Sequence, residues 1–428
     1  MAKMSTKEVQ IAERAKRYAS EPLTNLHNFI DEAFLLESFQ MLNKKGASGV
    51  DGETWASYDE EKDQRLPALL DGFKSGKYRA PKVRRVYIPK ADGGERPLGL
   101  PTVEDKILQT AVSRVLSPIY EREFYAESYG FRAGRSVHDA LEELFQEVSF
   151  RGKRYVIDAD MKNYFGTIVH QHLRDFLRQR IRDKVVERMI GKWLKAGILD
   201  NGQVSYPKAG APQGGSISPL LSNIYLHYVL DEWFIEQIQP LLKGSSKLIR
   251  YADDFLLLFD NKEDAYRVMK VLPKRLGKYG LSLHPDKTKL VELDSPDESG
   301  PRTFDFLGMT HYMGKSRKGK RILKRKTSRK KYRSSLKRMS TWIQRNRHLV
   351  LNRLIHKLNV KLRGYYNHYG ITFNSRMLKK YYEAVKRILF KWLNRRGGKH
   401  KLVWTKYAQI IEEWMPLLRP KIYHKYSS

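Results

Sequence analysis

The chain has 428 residues, with 81 Lys and Arg against 47 Asp and Glu, a formal net charge of +34, and no cysteine. The lack of cysteine excludes a disulfide framework and a thiolate zinc site, and the longest apolar runs are far too short for a membrane-spanning helix. The length suffices for two or three domains with hydrophobic cores, so we predict a soluble, intracellular protein.

The positive charge is concentrated toward the C-terminal end. Residues 1–300 contain 46 basic and 43 acidic residues, whereas residues 301–428 contain 35 basic and 4 acidic residues. Such asymmetry is typical of a protein with a polyanionic partner, because each phosphate that is neutralised releases counterions. A membrane surface is the alternative partner for basic segments, but no exposed amphipathic helix is needed to explain the charge. We therefore predict a nucleic-acid partner and no membrane.

The N-terminal region combines helices with a hairpin. Residues 5–43 have a helical pattern rich in Leu, Phe and Ala, and a glycine-punctuated loop follows at residues 43–52. Residues 83–90 alternate as a strand does, and the Asp-Gly turn behind them predicts a hairpin whose return strand carries Arg96. Lys90 and Arg96 then face each other across the turn, either as solvated charges or as ligands of an anion.

A further helix is predicted directly after residues 128–135. Ser136 and Asp139, three residues apart, form a capping-box pattern at its start. Arg132 and Arg135 precede this helix. Arginines at a helix entry are often solvated, and the alternative is a contact with a nucleic-acid backbone.

Two pairs of aspartates stand at the ends of apolar strands. Residues 155–160 form an apolar strand that carries Asp158 and Asp160 on the same face, so spacing alone does not choose between them. Residues 247–259 read as a hairpin of two apolar strands with Asp253 and Asp254 at its turn. Asp is common in solvated turns, but these strands are too apolar for a surface hairpin. Carboxylates held together at the edge of a core favour a hard divalent cation such as Mg²⁺.

A glycine-containing loop precedes another helix. In residues 212–215, two glycines would let the backbone approach a ligand without a Cβ between them. Ser218 is predicted to cap the next helix, with Pro219 at its first position.

Together these motifs resemble the reverse transcriptases encoded by bacterial group II introns, the maturases. The Tyr-Ala-Asp-Asp turn preceded by Asp160, with an aromatic residue five positions later, resembles the polymerase palm. The resemblance covers roughly residues 40 to 395, and blocks in the right order over that length are specific where a single motif is not. The blocks that carry it are residues 43–52, 128–135, 155–165, 211–226, 247–259, 280–289 and 304–308.

The resemblance implies an α+β fold of the right-hand polymerase type, with an antiparallel palm sheet and an α-helical thumb or maturase domain. The implied domains are an N-terminal extension with fingers at residues 1–105, a palm with finger elements at residues 106–312, and a basic helical thumb at residues 313–428. It selects Asp160 over Asp158, so that Asp160, Asp253 and Asp254 would be the catalytic residues and the ligands of two Mg²⁺ ions, with Mn²⁺ as an expected substitute.

The resemblance also implies which residues contact nucleotide. Phe165 would be the gate that rejects a ribose 2′-hydroxyl, although Gly166 stands where the family commonly has an acidic residue. His170 is predicted to be structural. The implied nucleotide-binding residues are Lys90, Arg96, Phe165, Gln213 and Lys287.

The basic C-terminal region is predicted to be a helical bundle that binds nucleic acid. Tyr365, Tyr366 and Tyr369 are either stacking platforms for RNA bases or, more often for such tyrosines, core residues. The implied nucleic-acid-binding residues are Arg132, Arg135, Lys324, Arg325, Lys326, Arg329, Lys330 and Lys331.

The expected function is that of an RNA-directed DNA polymerase which also binds intron RNA to assist splicing and mobility. Its expected partners are intron and template RNA, a DNA primer, the RNA/DNA duplex and deoxynucleoside triphosphates, in a bacterial cytoplasmic ribonucleoprotein. No endonuclease motif is visible, so we expect no endonuclease activity. The alternatives are a free-standing enzyme used by the host in DNA repair or beside a CRISPR system, and an RNA-binding splicing cofactor with little polymerase activity.

Overall fold

The computed structural model describes residues 4–89, 94–200, 202–206, 209–210, 214–294, 302–396 and 401–426. The chain folds into two compact units, one of residues 1–140 and 155–290 and the other of residues 141–154 and 291–428. Helices and strands are mixed in both units, so the predicted α+β class is confirmed. Among the described residues, no helix is long and apolar enough to cross a membrane.

The helices follow one another along the whole chain. In chain order they are α1 (Thr6–Arg17), α2 (Glu32–Gln40), α3 (Trp55–Ser75), α4 (Val103–Glu123), α5 (Val137–Ser149), α6 (Tyr164–Thr167), α7 (His170–Arg180), α8 (Lys184–Lys195), α9 (Ser218–Leu226), α10 (Lys262–Lys278), α11 (Arg329–Asn346), α12 (Leu351–Tyr369), α13 (Ser375–Leu393) and α14 (Trp404–Gln409).

The strands are arranged in three sheets. In chain order they are β1 (Val83–Pro89), β2 (Glu95–Leu100), β3 (Tyr155–Asp160), β4 (Ile198–Asp200), β5 (Gln203–Ser205), β6 (Ser246–Tyr251), β7 (Asp254–Phe259), β8 (Lys289–Glu292), β9 (Thr303–Phe306), β10 (Met309–Lys315) and β11 (Arg321–Thr327). The sheet orders are β2-β1-β4-β5, β6-β7-β3-β8 and β11-β10-β9.

The helical N-terminal segment is interrupted once. Helix α1 begins at a capping box in which Ser5 and Glu8 satisfy each other's backbone N–H groups. The chain then leaves the helix and passes through Asn25, which has a left-handed φ of 53°, before α2 begins. Helix α1 has already ended at its C-cap Tyr18, and Asn25 is the N-cap of a short 3₁₀ helix, Leu26–Phe29. The segment predicted as helical therefore contains α1, a connection that includes this 3₁₀ helix, and α2.

The sheet that carries the aspartates has a central strand that is apolar on both faces. Strand β7 lies between β6 and β3, antiparallel to both, and its consecutive residues 255–259, which alternate between the two faces, are all fully buried. Strands buried on both faces read as continuous apolar runs, which is why the hairpin could be predicted. The predicted hairpin of β6 and β7 is confirmed.

A second hairpin forms the sheet of β1 and β2. The two strands pair antiparallel, with Ile88 opposite Arg96, and β1 also pairs in parallel with β4. The predicted hairpin is therefore present, while Lys90 and the turn itself lie outside the described residues.

The second unit contains strands that the sequence analysis did not predict. Strands β10 and β11 pair antiparallel, with His311 opposite Arg325, where we predicted only a helical bundle from residue 313 onward. Alternate residues of β11, Leu323, Arg325 and Thr327, are buried. A half-buried strand is recognised in a sequence by alternating apolar and polar residues. In β11 a buried Arg takes the place of an apolar residue among many Lys and Arg, so this alternation is not visible.

The helices of the second unit have the predicted apolar face. Leu378, Tyr381, Val385 and Leu389 of α13 are buried, at the three-four spacing of an amphipathic helix. The tyrosines of α12 lie in the same core: Tyr365 is stacked on Tyr381 with ring centroids 3.6 Å apart. Tyr365, Tyr366 and Tyr369 are all buried. They are therefore core residues, which is the second of the two structures expected for them, the first being a platform for RNA bases.

Candidate active site

The turn between β6 and β7 brings two aspartates against the end of β3. Asp254 is the first residue of β7 and lies directly opposite Asp160, the last residue of β3. Residues directly opposite in an antiparallel pair project from the same face with Cβ atoms about 5 Å apart. Asp253 precedes Asp254 in the turn, next to Ala252, which has a left-handed φ of 59°. The structure therefore gathers Asp160, Asp253 and Asp254 at one end of the sheet.

The strand register distinguishes the two aspartates of β3. Asp158 is opposite Leu256, two positions away from the turn, and its carboxylate is 3.9 Å from the Lys289 ammonium. Asp160 alone is opposite another aspartate. The register thus places Asp160, and not Asp158, beside the aspartates of the turn.

Lys287 lies beside Asp160. Its Nζ donates to Asp160 Oδ2 at 2.9 Å, and both side chains remain about half exposed. The segment that carries Lys287 is attached to the end of β3, since the backbone N–H of His284 donates to the Asp160 carbonyl at 2.8 Å. An ammonium group at this carboxylate offsets part of the negative charge of the aspartates.

Asp253 is the aspartate most affected by its surroundings. Burial raises the pKa of its carboxyl above the ordinary value, the charge of Asp160 adds to that increase, and the charge of Arg96 opposes it. Arg96 projects from β2, where its residue is exposed. Because burial is the main cause of the raised pKa, the ionised carboxylate of Asp253 is disfavoured in this site, and a bound cation would stabilise it.

The donor atoms suit a metal ion that arrives with its substrate. Within the described residues, no three Asp, Glu or His side chains are arranged closely enough to hold a metal ion together. Mg²⁺ commonly takes only one or two protein carboxylates and completes its shell with water and phosphate oxygens. The opposed pair of Asp160 and Asp254, with Asp253 beside it, matches that donor set.

Phe165 lines a cavity whose described lining includes none of the three aspartates. It follows the end of β3 in the short helix α6, and with Arg85 and Gly99 it borders a cavity of about 310 Å³. Its neighbour Tyr164 is buried and fixes α6, because its hydroxyl donates to the Ser222 carbonyl at 2.7 Å. A Cβ at Gly166 would lie 2.5 Å from Asn163 Nδ2, so the missing acidic residue matches a local shortage of space.

Gly214, in the segment before α9, packs on protein atoms. Gly214 has a φ of 117°, and a Cβ there would lie 2.2 Å from the Gly99 carbonyl oxygen. The glycine is therefore required for the approach of its own chain to β2, whereas we predicted an approach to a ligand. Helix α9 begins at Ser218, and its N-cap residue is Ile217, so the predicted Ser218 cap is wrong by one position. Gln213 lies outside the described residues.

His170 and Arg132 are both structural. His170 Nε2 lies 2.7 Å from the Gly210 carbonyl oxygen, in agreement with its predicted role. The Arg132 side chain is 4% exposed; it donates to the Ser128 carbonyl at 2.7 Å and to Glu121 Oε1 at 2.7 Å. The prediction that Arg132 contacts nucleic acid is corrected, because its guanidinium is used inside the protein. Arg135 is exposed, with its guanidinium 5.5 Å from the centre of the Tyr129 ring.

The basic residues of β11 divide between the two faces of the strand. Lys326 is exposed and Lys324 is half-buried. Arg325, between them, is 0% exposed; it donates to the Leu141 carbonyl at 3.1 Å, and burial lowers its pKa to about 10. Arg325 was predicted to bind nucleic acid, and this is corrected because adjacent strand residues face opposite sides.

Three further predicted residues occupy the first turn of α11. Arg329, Lys330 and Lys331 are exposed there, behind the N-cap Ser328, whose side chain accepts from the Lys331 N–H. Cations at a helix N-terminus are unfavourable, because the helix dipole already places positive charge there. An anion bound at this turn would compensate both the side chains and the dipole.

The sequence analysis missed a buried ionic group behind the turn. Arg250 bonds to Asp231 and Asn223, and both charged residues are 0% exposed. The signal was present in the sequence as Asp231, next to Glu232, within the largely apolar residues 224–234. A charged residue inside a buried helix requires a partner, and Arg250 is the cation that the hairpin supplies.

Comparison with known families gives two matches. Residues 88–311, more than half of the chain, match the family described as reverse transcriptase (RNA-dependent DNA polymerase). Residues 332–410 match the maturase-specific domain of group II introns. The strands that carry Asp160, Asp253 and Asp254 lie within the first match.

Individual proteins are similar over long stretches. The chain is 34% identical to protein YkfC of Escherichia coli over 312 residues, which cover 65% of this chain and 80% of YkfC. It is 36% identical to the group II intron-encoded protein LtrA of Lactococcus lactis over 232 residues, covering 53% of this chain and 38% of LtrA. A 91 kDa protein in the cob intron of Schizosaccharomyces pombe is 40% identical over 174 residues, covering 41% of this chain and 21% of that protein.

Proposed function

Since this chain belongs to the reverse transcriptase family, the RNA-dependent DNA polymerases, and carries a group II intron maturase domain, we propose that it copies RNA by metal-assisted nucleotidyl transfer and binds intron RNA. The observation that carries the proposal is the strand register that sets Asp160 opposite Asp254, with Asp253 in the adjoining turn. In this reading the sheet of β6, β7 and β3 is the palm and the sheet of β1 and β2 belongs to the fingers. The helices after residue 328 form the thumb.

Asp160, Asp253 and Asp254 are proposed to hold two divalent cations together with the phosphates of the nucleotide. Bound Mg²⁺ lowers the pKa of a hydroxyl group and stabilises charge on the attacking and leaving oxygens. The primer 3′-oxygen bonds to the α-phosphorus, the bond to pyrophosphate breaks, and the hydroxyl proton is released. The aspartates hold the reacting groups in line, and Lys287, bonded to Asp160, contributes positive charge beside the transferred phosphate.

Arg96 and Phe165 are proposed to select and orient the nucleotide. The charge of Arg96 acts on Asp253, so its guanidinium can reach phosphates held at the aspartates, a task for which Arg is well suited. Phe165 borders the cavity beside α6, where its ring would collide with a ribose 2′-hydroxyl. Lys90 and Gln213 are proposed for the same site from the family motif alone.

The exposed cations of the second unit are proposed to bind RNA. These are Lys326, Arg329, Lys330 and Lys331, together with the half-buried Lys324 and, in the first unit, the exposed Arg135. Each phosphate contact adds affinity that depends on salt and not on sequence, which suits a protein that must hold both a template and a folded intron. Mn²⁺ is proposed to replace Mg²⁺ at the aspartates.

The experiment that tests the polymerase proposal is primer extension by Asp253→Asn on an RNA template. We expect at least a roughly 1,000-fold loss of rate, since several kcal/mol of metal-derived stabilisation disappear. Template affinity should be unchanged, because the cations that bind RNA lie elsewhere. Extension by Asp253→Asn at the wild-type rate would contradict the assignment of the site.

The maturase half of the proposal has its own test. RNA that copurifies with the Asp253→Asn protein from its native cells is sequenced. One dominant structured RNA whose ends flank the gene supports an intron partner. A broad mixture of cellular RNAs contradicts that partner and favours a free-standing polymerase.

A further inference from the structure

Arg250 lies fully buried on β6, immediately before the Tyr-Ala-Asp-Asp turn. Its Nε donates to Asp231 Oδ1 at 2.7 Å and its Nη2 to Asp231 Oδ2 at 2.5 Å. Its Nη1 donates to Asn223 Oδ1 at 2.9 Å and to the Ala252 carbonyl oxygen at 3.1 Å. Every guanidinium nitrogen thus has a partner, and one partner is the backbone of the turn itself.

Asp231 and Asn223 come from one continuous helical segment. Asn223 belongs to α9, and Asp231 ends the stretch His227–Asp231, where the chain continues in wider, π-helical turns. Such turns are rare and occur often at functional sites. Burial raises the pKa of Asp231 and the charge of Arg250 opposes that increase. The segment therefore places a buried carboxylate in direct contact with Arg250, whose hydrogen bonds and charge offset the cost of its burial.

The other side of the turn rests on Gly130. A Cβ at this position would lie 2.5 Å from the Ala252 backbone nitrogen, so the two backbones touch. The Gly130 carbonyl accepts a hydrogen bond from Asn223 Nδ2 at 2.7 Å. Asn223 therefore joins both supports of the turn, because it accepts from Arg250 and donates to the segment that packs on Ala252.

A contribution to folding stability does not by itself explain why Arg250 and Asp231 are buried together. Removal of two charges from water is expensive, and well-packed apolar residues of similar size often stabilise a protein as well as a buried ion pair or better. What apolar residues could not supply is a hydrogen bond to the Ala252 carbonyl. Ala252 has the left-handed φ of 59°, a backbone conformation that is unfavourable for Ala and persists only when its surroundings fix it.

We propose that Asp231, Arg250 and Asn223 are positioning residues, which hold the Ala252 carbonyl and thereby set where Asp253 and Asp254 stand relative to Asp160. This inference rests on the proposed polymerase function. The three residues touch no substrate; they act through the turn. A displacement of about 1 Å at reacting groups can reduce a rate roughly 100-fold, so fixation of the turn affects chemistry more than binding.

The decisive variant removes both buried charges together, Asp231→Leu with Arg250→Met. An apolar pair avoids the unpaired charge that either single change would leave, so we expect a thermal unfolding midpoint near that of the wild type. The single-turnover extension rate at saturating nucleotide should fall roughly 100-fold. Primer-template affinity should stay at its wild-type value, and Mn²⁺ binding without nucleotide, followed by electron paramagnetic resonance, should weaken.

Asn223→Asp supplies the conservative comparison. The variant keeps the oxygen that accepts from Arg250 and replaces the NH₂ group that donates to Gly130 with an oxygen. We therefore expect an extension rate between those of the wild type and the double variant. Arg114→Met is the matched control, because Arg114 is likewise a buried arginine with acidic partners, Glu8 and Glu37, but bonds to no residue of the turn. It should lower the unfolding midpoint and leave the single-turnover rate of the folded protein unchanged.

Two results would overturn the positioning role. One is a folded double variant that extends primers and binds Mn²⁺ as the wild type does. The other is an Arg114→Met protein that loses rate and metal affinity as strongly as the double variant does. Failure of the wild type itself to extend a primer would contradict the proposed function instead, so the two failures are distinguishable.

Discussion

Arg250 of the first unit and Lys326 of the second are both cations on β-strands, but their surroundings are opposite. Arg250 is 0% exposed and bonds to Asp231, Asn223 and the Ala252 carbonyl. Lys326 is exposed, and its ammonium lies 5.3 Å from the centre of the Tyr312 ring. The first cation has partners that hold it in one place, and the second is available to a ligand.

The same contrast extends to the composition of the chain. Residues 1–300, which contain the aspartate site, have nearly equal numbers of acidic and basic residues, whereas residues 301–428 have 35 basic and 4 acidic. A buried charge needs a partner in the fold, so acidic and basic residues accompany each other where charges are internal. Uncompensated charge is tolerated on a surface that meets a polyanion. The position of a charge therefore indicates its task better than its residue type does.

The largest expected effect contrasts two aspartates on the same face of β3. Asp160→Asn should reduce primer extension by at least roughly 1,000-fold, because it removes a proposed metal ligand. Asp158→Asn changes the same chemical group two residues away, opposite Leu256, and should retain most of the activity. Single-turnover extension measures both. Equal losses in the two variants would show that the register does not identify the ligand.

The next effect concerns a buried carboxylate that has hydrogen-bond donors in place of a cation. Asp105 Oδ1 accepts from Trp193 Nε1 at 2.9 Å and from the Tyr78 hydroxyl at 3.1 Å. Burial raises the pKa of Asp105 to about 6, with the two hydrogen bonds opposing. A raised carboxyl pKa stabilises the folded state below the unfolded pKa, and this contribution is lost as pH rises through 6.

Asp105→Asn keeps an oxygen that can accept both bonds and cannot ionise. The wild type should therefore lose roughly 2 kcal/mol relative to the variant between pH 4 and pH 7, which is most of the roughly 3 kcal/mol that the whole pKa shift represents. Chemical unfolding of both proteins across this range measures the difference, and groups common to both cancel. A difference that is constant with pH would mean that Asp105 is not the titrating group.

A smaller effect is expected on the basic surface. The triple variant Arg329→Gln, Lys330→Gln, Lys331→Gln removes three exposed charges from the first turn of α11. If each side chain contacts one phosphate of RNA, affinity should fall roughly 10- to 100-fold near physiological salt. The slope of log affinity against log salt concentration should become shallower by about 2. The extension rate at saturating template should be unchanged.

The control for the α11 triple variant is a variant that removes three positive charges from another helix. Lys270, Lys274 and Lys278 are exposed along α10 in the first unit, and their change to Gln alters net charge equally. An equal loss of RNA affinity in this variant would show that net charge matters and the place of the charges does not. A small loss would identify the first turn of α11 as part of the interface.

The sequence predicted the strands of the aspartate site well, because apolar runs and turns are local features. The family predicted from the motifs is confirmed by the match of residues 88–311 and 332–410. The choice of Asp160 over Asp158 needed the family motif, since strand register depends on residues distant in sequence. The pairing of Asp231 with Arg250 could not be predicted from a local pattern, because the two residues lie on different elements, a helical segment and a strand.

The errors at Arg132, Arg325 and the strands β10 and β11 share one cause, which is that residue type does not reveal which side of an element faces the interior. Arg132 and Arg325 are basic residues in basic or helix-entry segments, and both are buried. The strands β10 and β11 were missed for the same reason. Runs of Lys and Arg indicate solvent exposure in a sequence pattern, and only the neighbouring chain decides which of them turns inward.

The smallest effect separates two neighbours on β11. Arg325→Met should leave RNA affinity unchanged and alter the unfolding free energy by no more than about 1 kcal/mol, because one hydrogen bond to Leu141 is lost while the cost of a buried charge is relieved. Lys326→Met should weaken RNA binding about fourfold at physiological salt, as expected for one phosphate contact. Filter binding and thermal unfolding of both proteins provide the measurements. If Arg325→Met weakened RNA binding as much as Lys326→Met, burial would not distinguish the charges that build this unit from those that meet its partner.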